Sequence, residues 1–377
     1  MQLTIMIEGQ EGLTWERWRN LAHTVEDAGY AGLFRSDHLT GLFGEPTRPS
    51  LDVWASLTWL ASNTQRLRFG PLVCPLTFYH PALLAKRAAA VAELSGGRLD
   101  LGIGAGWHEG EHAMFGIPFP LLKERMDRFE CGARVIRALW RGQPVTLEQP
   151  YYSLRAAQSF PTPPGAGVPL IIGGKGERRT LRIVAEHADE WNTTRVTVDD
   201  YAAKRAVLAT HCRAVGRDPA TIRHSLMIPV ITGRTPAEVT ARLARARAIF
   251  PRVPEDAAGW RAAGFLYGLI DEVRQEIKRW DAAGMSRLML QLLEHGRPRR
   301  HPPHRPRAAL TATNPAGCSK RSRCEAAPAA AREAYSLYVE RSAAGANEAD
   351  GPFSTACAAQ RPRRAARASR CSFTNKA

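Results

Sequence analysis

The sequence predicts an α/β protein whose body is a closed (β/α)8 barrel, a TIM barrel with insertions at its mouth, followed by a basic tail. Three observations carry that prediction. Short apolar runs alternate with amphipathic helical stretches from Met1 to about Leu293, the pattern that builds a parallel sheet flanked by helices. The apolar runs number eight, the count a barrel needs to close. An open doubly wound sheet fits the same alternation, but the length favours the ~250 residues of the usual barrel plus insertions.

In chain order, the run at 3–7 gives the first strand, and Trp15, Trp18, Ala22 and Val25 form the 3.6-period stripe of the helix that returns the chain. Residues 32–36 and 67–73 give the next two strands. Leu84, Ala88 and Val91 stripe a helix that stops at Ser95-Gly96-Gly97, and 99–104 gives the fourth strand. Leu122, Met126, Phe129, Ala133, Ile136 and Trp140 stripe a further helix. Strands follow at 169–172, 190–193, 225–231 and 287–291, with helical stripes at Val239, Leu243, Ala246, Phe250 and at Val273, Ile277, Trp280 ahead of Gly284. Residues 144–164 and 250–268 break the pattern and read as insertions near the mouth.

A composition of 44% hydrophobic and 23% charged residues excludes collagen-like, wholly disordered and disulfide-scaffold classes for the body. No apolar run reaches the ~18–20 residues of a membrane-spanning helix. The start MQLTIMIEGQEGL has neither a basic n-region nor a small-residue cleavage site, so a cytoplasmic protein without a membrane partner is expected. The net charge of +16 raises nucleic acid as a partner, but the charge is concentrated. Residues 297–377 hold 16 Lys and Arg against 5 Asp and Glu, leaving 36 against 31 before them. That tail contains no Ile, Met or Trp. Residues 1–295 are therefore expected to form the barrel domain and 296–377 a low-complexity Arg/Ala/Pro-rich, disordered tail. Its arginines could neutralise phosphates only non-specifically, with Tyr335, Tyr338, Phe353 and Phe373 as its aromatic residues. Cys74, Cys131 and Cys212 in the body are isolated and odd in number, the usage of free buried thiols in a reducing compartment.

Such a barrel carries its chemistry at the C-terminal ends of the strands. The second strand ends in Ser36-Asp37-His38. A His beside a carboxylate stays oriented and titrates near neutrality, which suits a catalytic acid or base; a hydrogen-bonded structural pair is the alternative. Gly173-Gly174-Lys175-Gly176 stands where a strand feeds a helix, so its N–H groups can reach a phosphate. A tight βα turn needing positive φ explains the same residues, and the P-loop spacing is absent. Gly102, Gly104 and Gly106 match a dinucleotide fingerprint only loosely. Their physical content is that residues without Cβ atoms let something flat lie against the strand end.

His108-Glu109-Gly110-Glu111-His112 matches the H-E-x-x-H zinc pattern letter for letter. That motif works on a helix, whereas here a glycine interrupts it, a strand end precedes it and Gly116-Ile117-Pro118 follows. No third ligand is signalled, so no metal is expected and the two histidines read as polar mouth surface. Trp54, Trp59, Phe78, Tyr79 and His80 are candidates for an apolar pocket, with simple core packing as the alternative.

Several motifs occur in a fixed order: Gly29-Tyr30-x3-Phe34-x-Ser36-Asp37-His38, Asn63-Thr64-x-Arg66-Leu67-x-Phe69-Gly70, Leu94-Ser95-Gly96-Gly97-Arg98-Leu99, Gly102-Ile103-Gly104-Ala105-Gly106-Trp107-x3-Glu111-x3-Phe115-Gly116, Ile172-Gly173-Gly174-x-Gly176, Ala188-Asp189-Glu190-Trp191-Asn192 and Ala282-Ala283-Gly284-Met285-x3-Met289. The ordered set resembles the luciferase-like monooxygenase superfamily, and within it the oxidoreductases that use the deazaflavin coenzyme F420. The resemblance implies the same barrel, coenzyme F420 at its mouth with FMN as the alternative cofactor, a small-molecule substrate and a homo-oligomer. It implies His38, with Asp37, facing the reactive edge of the ring, and a non-proline cis peptide between Leu72 and Val73 behind it. It implies Gly104, Gly106 and Trp107 along the ring and side-chain path, and Gly173, Gly174 and Gly176 at the cofactor phosphate. The implied chemistry is hydride transfer between F420 and an organic substrate; an FMN-dependent two-component monooxygenase is the rival reaction.

Two departures stand out. Trp107 occupies the position where some F420-using sugar-phosphate dehydrogenases carry a catalytic Glu, so neither that acid nor that substrate is carried over. The eighth strand runs through Leu293 into Arg297-Pro298-Arg299-Arg300 where the family has a closing amphipathic helix; either residues 332–341 supply a substitute, or the tail is a genuine extension or the product of a reading-frame change.

Overall fold

The fold turns on one pattern, the alternation of inward and outward side chains along eight parallel strands. The computed structural model describes residues 1–293 except 44, 149 and 166; the expected tail, with 332–341, lies outside the described residues. The order is β1 (Gln2–Ile7), α1 (Trp15–Asp27), β2 (Gly32–Arg35), α2 (Val53–Asn63), β3 (Arg68–Pro71), β4 (Cys74–Pro75), α3 (Pro81–Leu94), β5 (Leu101–Gly104), α4 (Glu109–Met114) and α5 (Leu122–Leu139). Then come β6 (Val145–Glu148), β7 (Ser153–Ala157), β8 (Leu170–Gly173), α6 (Thr180–His187), β9 (Glu190–Thr194), α7 (Val198–Ala214) and β10 (Arg223–Gly233). The chain continues through α8 (Pro236–Ile249), α9 (Ala257–Ala262), β11 (Leu266–Leu269), α10 (Ile270–Ala282) and β12 (Arg287–Leu292).

β3 and β4 are two halves of one strand, parted at the Leu72–Val73 peptide, which is cis. Counting them together, the barrel strands are β1, β2, β3/β4, β5, β8, β9, β10 and β12, and each coincides with one of the eight predicted runs. β12 lies between β1 and β10, with Arg287 opposite both Gln2 and Ser225. The far side closes where Phe69 N donates to Arg98 O at 3.1 Å and Asp100 N to Phe69 O at 2.8 Å, and β4 pairs with β5. The chain therefore forms a (β/α)8 barrel. Thr, Asp and His side chains cap most of its helices, as Thr14 does α1 and Asp52 α2 and as in the capping box of Thr197 and Asp200 on α7.

Ile5, Ile7, Leu33, Leu101, Ile103, Leu288 and Leu290 belong to the buried cluster that takes in the stripes of α1, α3 and α5. A second cluster joins Met6, Phe34, Leu72, Ile171 and Met289, residues that alternate with those of the first along their strands. It forms an apolar slab inside the barrel. At the strands' N-terminal end, below that slab, Arg287 Nη1 lies 2.9 Å from Asp100 Oδ2 and 3.3 Å from Glu190 Oε2, and Arg68 also pairs with Asp100. Burial pushes the Glu190 carboxyl up, against the pull of Arg287.

The two insertions differ. Residues 250–268 reach the mouth: β11 extends the C-terminal half of β10, pairing Val230 with Leu266 through Gly233 with Leu269. Phe250 meets Phe43 of the loop after β2, with ring centroids 5.3 Å apart. That loop is stapled by buried Glu11, whose carboxylate accepts from Leu42 N at 2.7 Å, Phe43 N at 3.1 Å and Arg48 Nη1 at 2.9 Å. The 144–164 insertion contains the β6–β7 hairpin, which sits between a helix and the next strand and so is rooted at the opposite end. It climbs the outside of the barrel, where Tyr152 packs on His80 at 5.3 Å and Tyr151 OH lies 3.4 Å from Asp127 Oδ2. Only its turn approaches the mouth side.

Trp54 is buried in the main core, and Arg87 lies over both Trp54 and Tyr79 at 5.8 and 5.7 Å, so these aromatics pack rather than line a pocket. Cys74, Cys131 and Cys212 are buried and free. Among the described residues, no helix is long and apolar enough to cross a membrane.

Candidate functional site

His38 leaves the end of β2 and meets Glu111 on α4. Its Nδ1–H donates to Glu111 Oε2 at 2.9 Å, because a carboxylate can only accept. The other carboxylate oxygen accepts from Leu39 N. Glu111 is buried, and although burial opposes its charge, the His38 hydrogen bond and charge and the Leu39 amide hold it below the usual glutamate range. Burial also works against the protonated imidazole, but the Glu111 hydrogen bond and charge, with Glu8 and Asp37 adding, raise its affinity for a proton above the ordinary histidine value. With Nδ1 committed, Nε2 is the nitrogen left for another molecule. Trp107 stands edge-on to the ring at 5.9 Å.

Asp37, expected to orient His38, turns elsewhere. Its Oδ2 accepts from Tyr79 OH at 2.8 Å. Burial pushes the Asp37 carboxyl up, opposed by hydrogen bonds from Cys74 and Tyr79 and by the charge of Arg35. The reason is the alternation itself: with Ser36 directed to the rim, its neighbour Asp37 faces the helix layer. Ser36 Oγ accepts from Gly9 N at 3.0 Å and donates to Gln10 Oε1 at 2.5 Å, while Glu8 accepts from Gln10 and from Gln291, at 2.9 and 2.5 Å. This rim network flanks the imidazole.

The glycines divide into two groups. A Cβ on Gly104 would lie 2.7 Å from Val73 Cγ2 and one on Gly173 3.1 Å from Val73 Cγ1, whereas one on Gly102 would lie 2.3 Å from Pro71 O. Gly104 and Gly173 are therefore bare because the partly buried Val73 lies across them, and they act on the mouth through that side chain; Gly102 makes room for the backbone of the neighbouring strand. Gly106, with φ +77°, leaves room for Thr77, whose Oγ1 would be 2.5 Å from an added Cβ.

The second group forms a cradle. Gly174 has φ +133°; its N–H donates to Asn192 O at 3.0 Å and its carbonyl accepts from Trp191 Nε1 at 2.7 Å. Among the described residues, the backbone N–H groups of Lys175, Gly176, Glu177 and Arg178 donate to no protein acceptor. Four adjacent free amides before α6, on an anchored loop with Lys175, fit an anion.

His108 and His112 do not form mouth surface of the expected kind. His108 caps α4 by accepting from Glu111 N at 3.0 Å, and buried His112 donates from Nδ1 to His108 O at 2.7 Å with Nε2 2.8 Å from Thr77 Oγ1. Among the described residues no group of three ligand-type side chains could hold a metal ion. A cavity of about 590 Å³ lies at the other end of the barrel, lined by Arg137, Trp140, His187 and Arg217 among others. There Arg137 donates to His187 O at 2.6 and 2.8 Å and Arg217 to Ala185 O at 3.1 Å, so both arginines cap helix ends.

The structure brings His38 and Trp107 together and adds Glu111, to which the sequence assigns no role. Its signal was present in the ordered motif, whereas the zinc-like spacing drew attention to the histidines beside it.

The luciferase-like monooxygenase family model matches residues 3–301. Among curated relatives, the F420-dependent glucose-6-phosphate dehydrogenase of Beutenbergia cavernae is 38% identical over 167 residues, 42% of this chain and 48% of that protein. The F420-dependent hydroxymycolic acid dehydrogenase of Mycobacterium tuberculosis is 28% identical over 221 residues, 58% of this chain and 60% of that protein. The chain thus spans about half the length of the curated relatives it matches. A solved F420-dependent secondary alcohol dehydrogenase, in complex with an F420-acetone adduct, shares the fold with a TM-score of 0.65 at 20% identity, covering 77% of this chain and 93% of that one. With the barrel, its rim and a family match over most of its length, the chain belongs to the luciferase-like monooxygenase family.

Proposed function

We propose that the chain is an oxidoreductase that transfers hydride between coenzyme F420 and a small organic alcohol or carbonyl compound. The observation that carries this reading is an imidazole backed by a buried carboxylate at a rim that also offers a flat floor and an anion cradle. The floor fits a planar ring, since Gly104 and Gly173 leave Val73 lying across the strand ends. The free amides of 175–178 fit the cofactor phosphate. Leu72, Val73, Gly106 and Trp107 would hold the ring, and Gly173, Gly174 and Gly176 the phosphate end. F420, when bound, accepts or donates a hydride at one carbon.

The protein's own part is placement and proton handling. During oxidation of an alcohol, Nε2 of His38 accepts the hydroxyl proton as negative charge develops on oxygen, and Glu111 stabilises the imidazolium that results. Asp37 supports from behind through its charge. A cytoplasmic homo-oligomer acting on a small molecule belongs to the same reading.

Because Glu111 raises the proton affinity of His38, oxidation requires pH to rise through an elevated imidazole pKa before the base is free. Glu111→Gln is expected to move that rising limb of the pH–rate profile to lower pH and to remove part of the ~10²–10⁴-fold supplied by positioned acid–base catalysis. A profile that stays in place would detach Glu111 from the reaction. The cofactor is tested by titrating the protein with oxidised and reduced F420 while following tryptophan emission. Binding of FMN but not F420, with oxygen consumed in the presence of reduced FMN, would replace the proposal by the monooxygenase reaction.

A further inference from the structure

The cavity of about 590 Å³ at the lower end of the barrel holds more positive charge than the helix ends consume. It opens between the C-termini of α5 and α6, beside the loop into β8 and the chain just after α7. Helix C-termini carry negative partial charge, and Arg137 and Arg217 answer it by capping. Arg137 uses Nε and Nη2 on His187 O, and Nη2 again on Asp189 Oδ2 at 2.6 Å. Arg217 uses Nη1 on Ala185 O and Nε on Thr221 Oγ1 at 3.0 Å. Arg137 Nη1 and Arg217 Nη2 are left without a protein acceptor among the described residues.

Arg141, the third arginine of the wall, caps nothing. It stands just past α5, and among the described residues its side chain has neither a hydrogen bond nor an ion pair. Negative charge to match these cations is short. Among the described residues Glu186 is the one acidic side chain lining the cavity; it is held by Arg182 at 2.9 Å and lies 3.6 Å from His187 Nε2. The like charges therefore feel one another. Burial and the charge of Arg137 lower the proton affinity of both His187 and Arg217, although Glu186 pulls His187 the other way. Trp140 supplies an apolar wall, its indole fixed by donation from Nε1 to Ala85 O at 3.0 Å.

We infer that this cavity binds an organic phosphate monoester, with Arg137, Arg141 and Arg217 on the phosphate and Trp140 against the organic part. Guanidinium groups from two sides of a cavity suit a phosphate better than a carboxylate, because its three terminal oxygens accept in more than one plane and its double charge meets the surplus. The volume is that of a small-molecule site and leaves room beyond the phosphate for an organic group. The cavity lies at the opposite ends of the strands from the mouth cradle, so it stands whether or not the F420 reading does.

The experiment is equilibrium dialysis of the full-length protein against phenyl phosphate at physiological ionic strength. Wild-type protein is expected to bind it, Arg141→Gln to weaken binding about tenfold, the share of one charge-assisted hydrogen bond, and Arg141→Glu to abolish it. Arg141 bonds no other side chain, so both variants should keep the wild-type melting temperature, and Arg141→Gln carries the test if the charge reversal disturbs the fold. Benzoate and inorganic phosphate should each bind several-fold more weakly than phenyl phosphate. Absence of binding to the wild type overturns the inference. So does binding that persists unchanged in the Arg141 variants, because the ligand then sits on the mouth cradle or on the arginines beyond residue 296. Equal affinity for benzoate overturns the phosphate assignment, and equal affinity for inorganic phosphate overturns the contact with Trp140.

Discussion

His38→Ala is expected to slow hydride transfer by about a hundred- to ten-thousandfold, the range over which a positioned acid–base group acts, while F420 affinity stays nearly unchanged. The separation follows from the architecture. The imidazole projects from β2 with Nδ1 fixed by Glu111, whereas the floor is made by Val73 and the cradle by the loop before α6. Removing the ring leaves both in place. Titration with F420 and single-turnover absorbance of the bound cofactor measure the two quantities separately. Retained turnover would remove His38 from the chemistry; joint loss of binding and turnover would make the ring a binding group. Added imidazole, entering the space left by the side chain, should restore part of the rate only if the proton role is correct.

Arg287→Met is expected to destabilise the fold by about 3–5 kcal/mol at neutral pH, the cost of leaving buried carboxylates without their cation. Arg287 is 2% exposed, and its partners Asp100 and Glu190 are fully buried. Asp100 keeps Arg68 and Glu190 keeps the partly exposed Arg223 at 3.4 Å, but Glu190 loses its buried partner and carries most of the loss. Its folded-state pKa is already above the ordinary value, and without Arg287 it rises further. The folded state then binds more protons than the unfolded chain, so stability falls as pH rises through the interval between the two pKa values. The deficit should accordingly shrink on acidification towards the ordinary carboxylate range. Urea titrations at several pH values measure it, and a pH-independent deficit would assign the loss to packing against Phe34 instead.

The strands were legible because each presents a local apolar run, and the helices because their stripes keep the 3.6 period. The glycines at 104 and 173 were legible as positions without side chains, but not their reason, because Val73 reaches them from another strand. The Asp37–His38 pair looked like a unit in one dimension. On an extended chain end, adjacent residues face opposite sides, so the carboxylate that serves His38 comes from 73 positions away. The barrel's ionic cluster had no sequence signature for the same reason: Arg287 and Asp100 are 187 residues apart. The β6–β7 insertion was found by its broken pattern, yet its rooting at the lower end followed only from which element precedes it.

The slab formed by Met6, Phe34, Leu72, Ile171 and Met289 parts two electrically dissimilar ends of one tube. It works as an insulator. Water and protons at the base, where Arg287 sits, are parted from the imidazole by a full tier of hydrocarbon. Durability and selectivity are thereby lodged in separate storeys of the barrel, and the upper one can be refashioned for new reactants while the lower keeps the molecule standing.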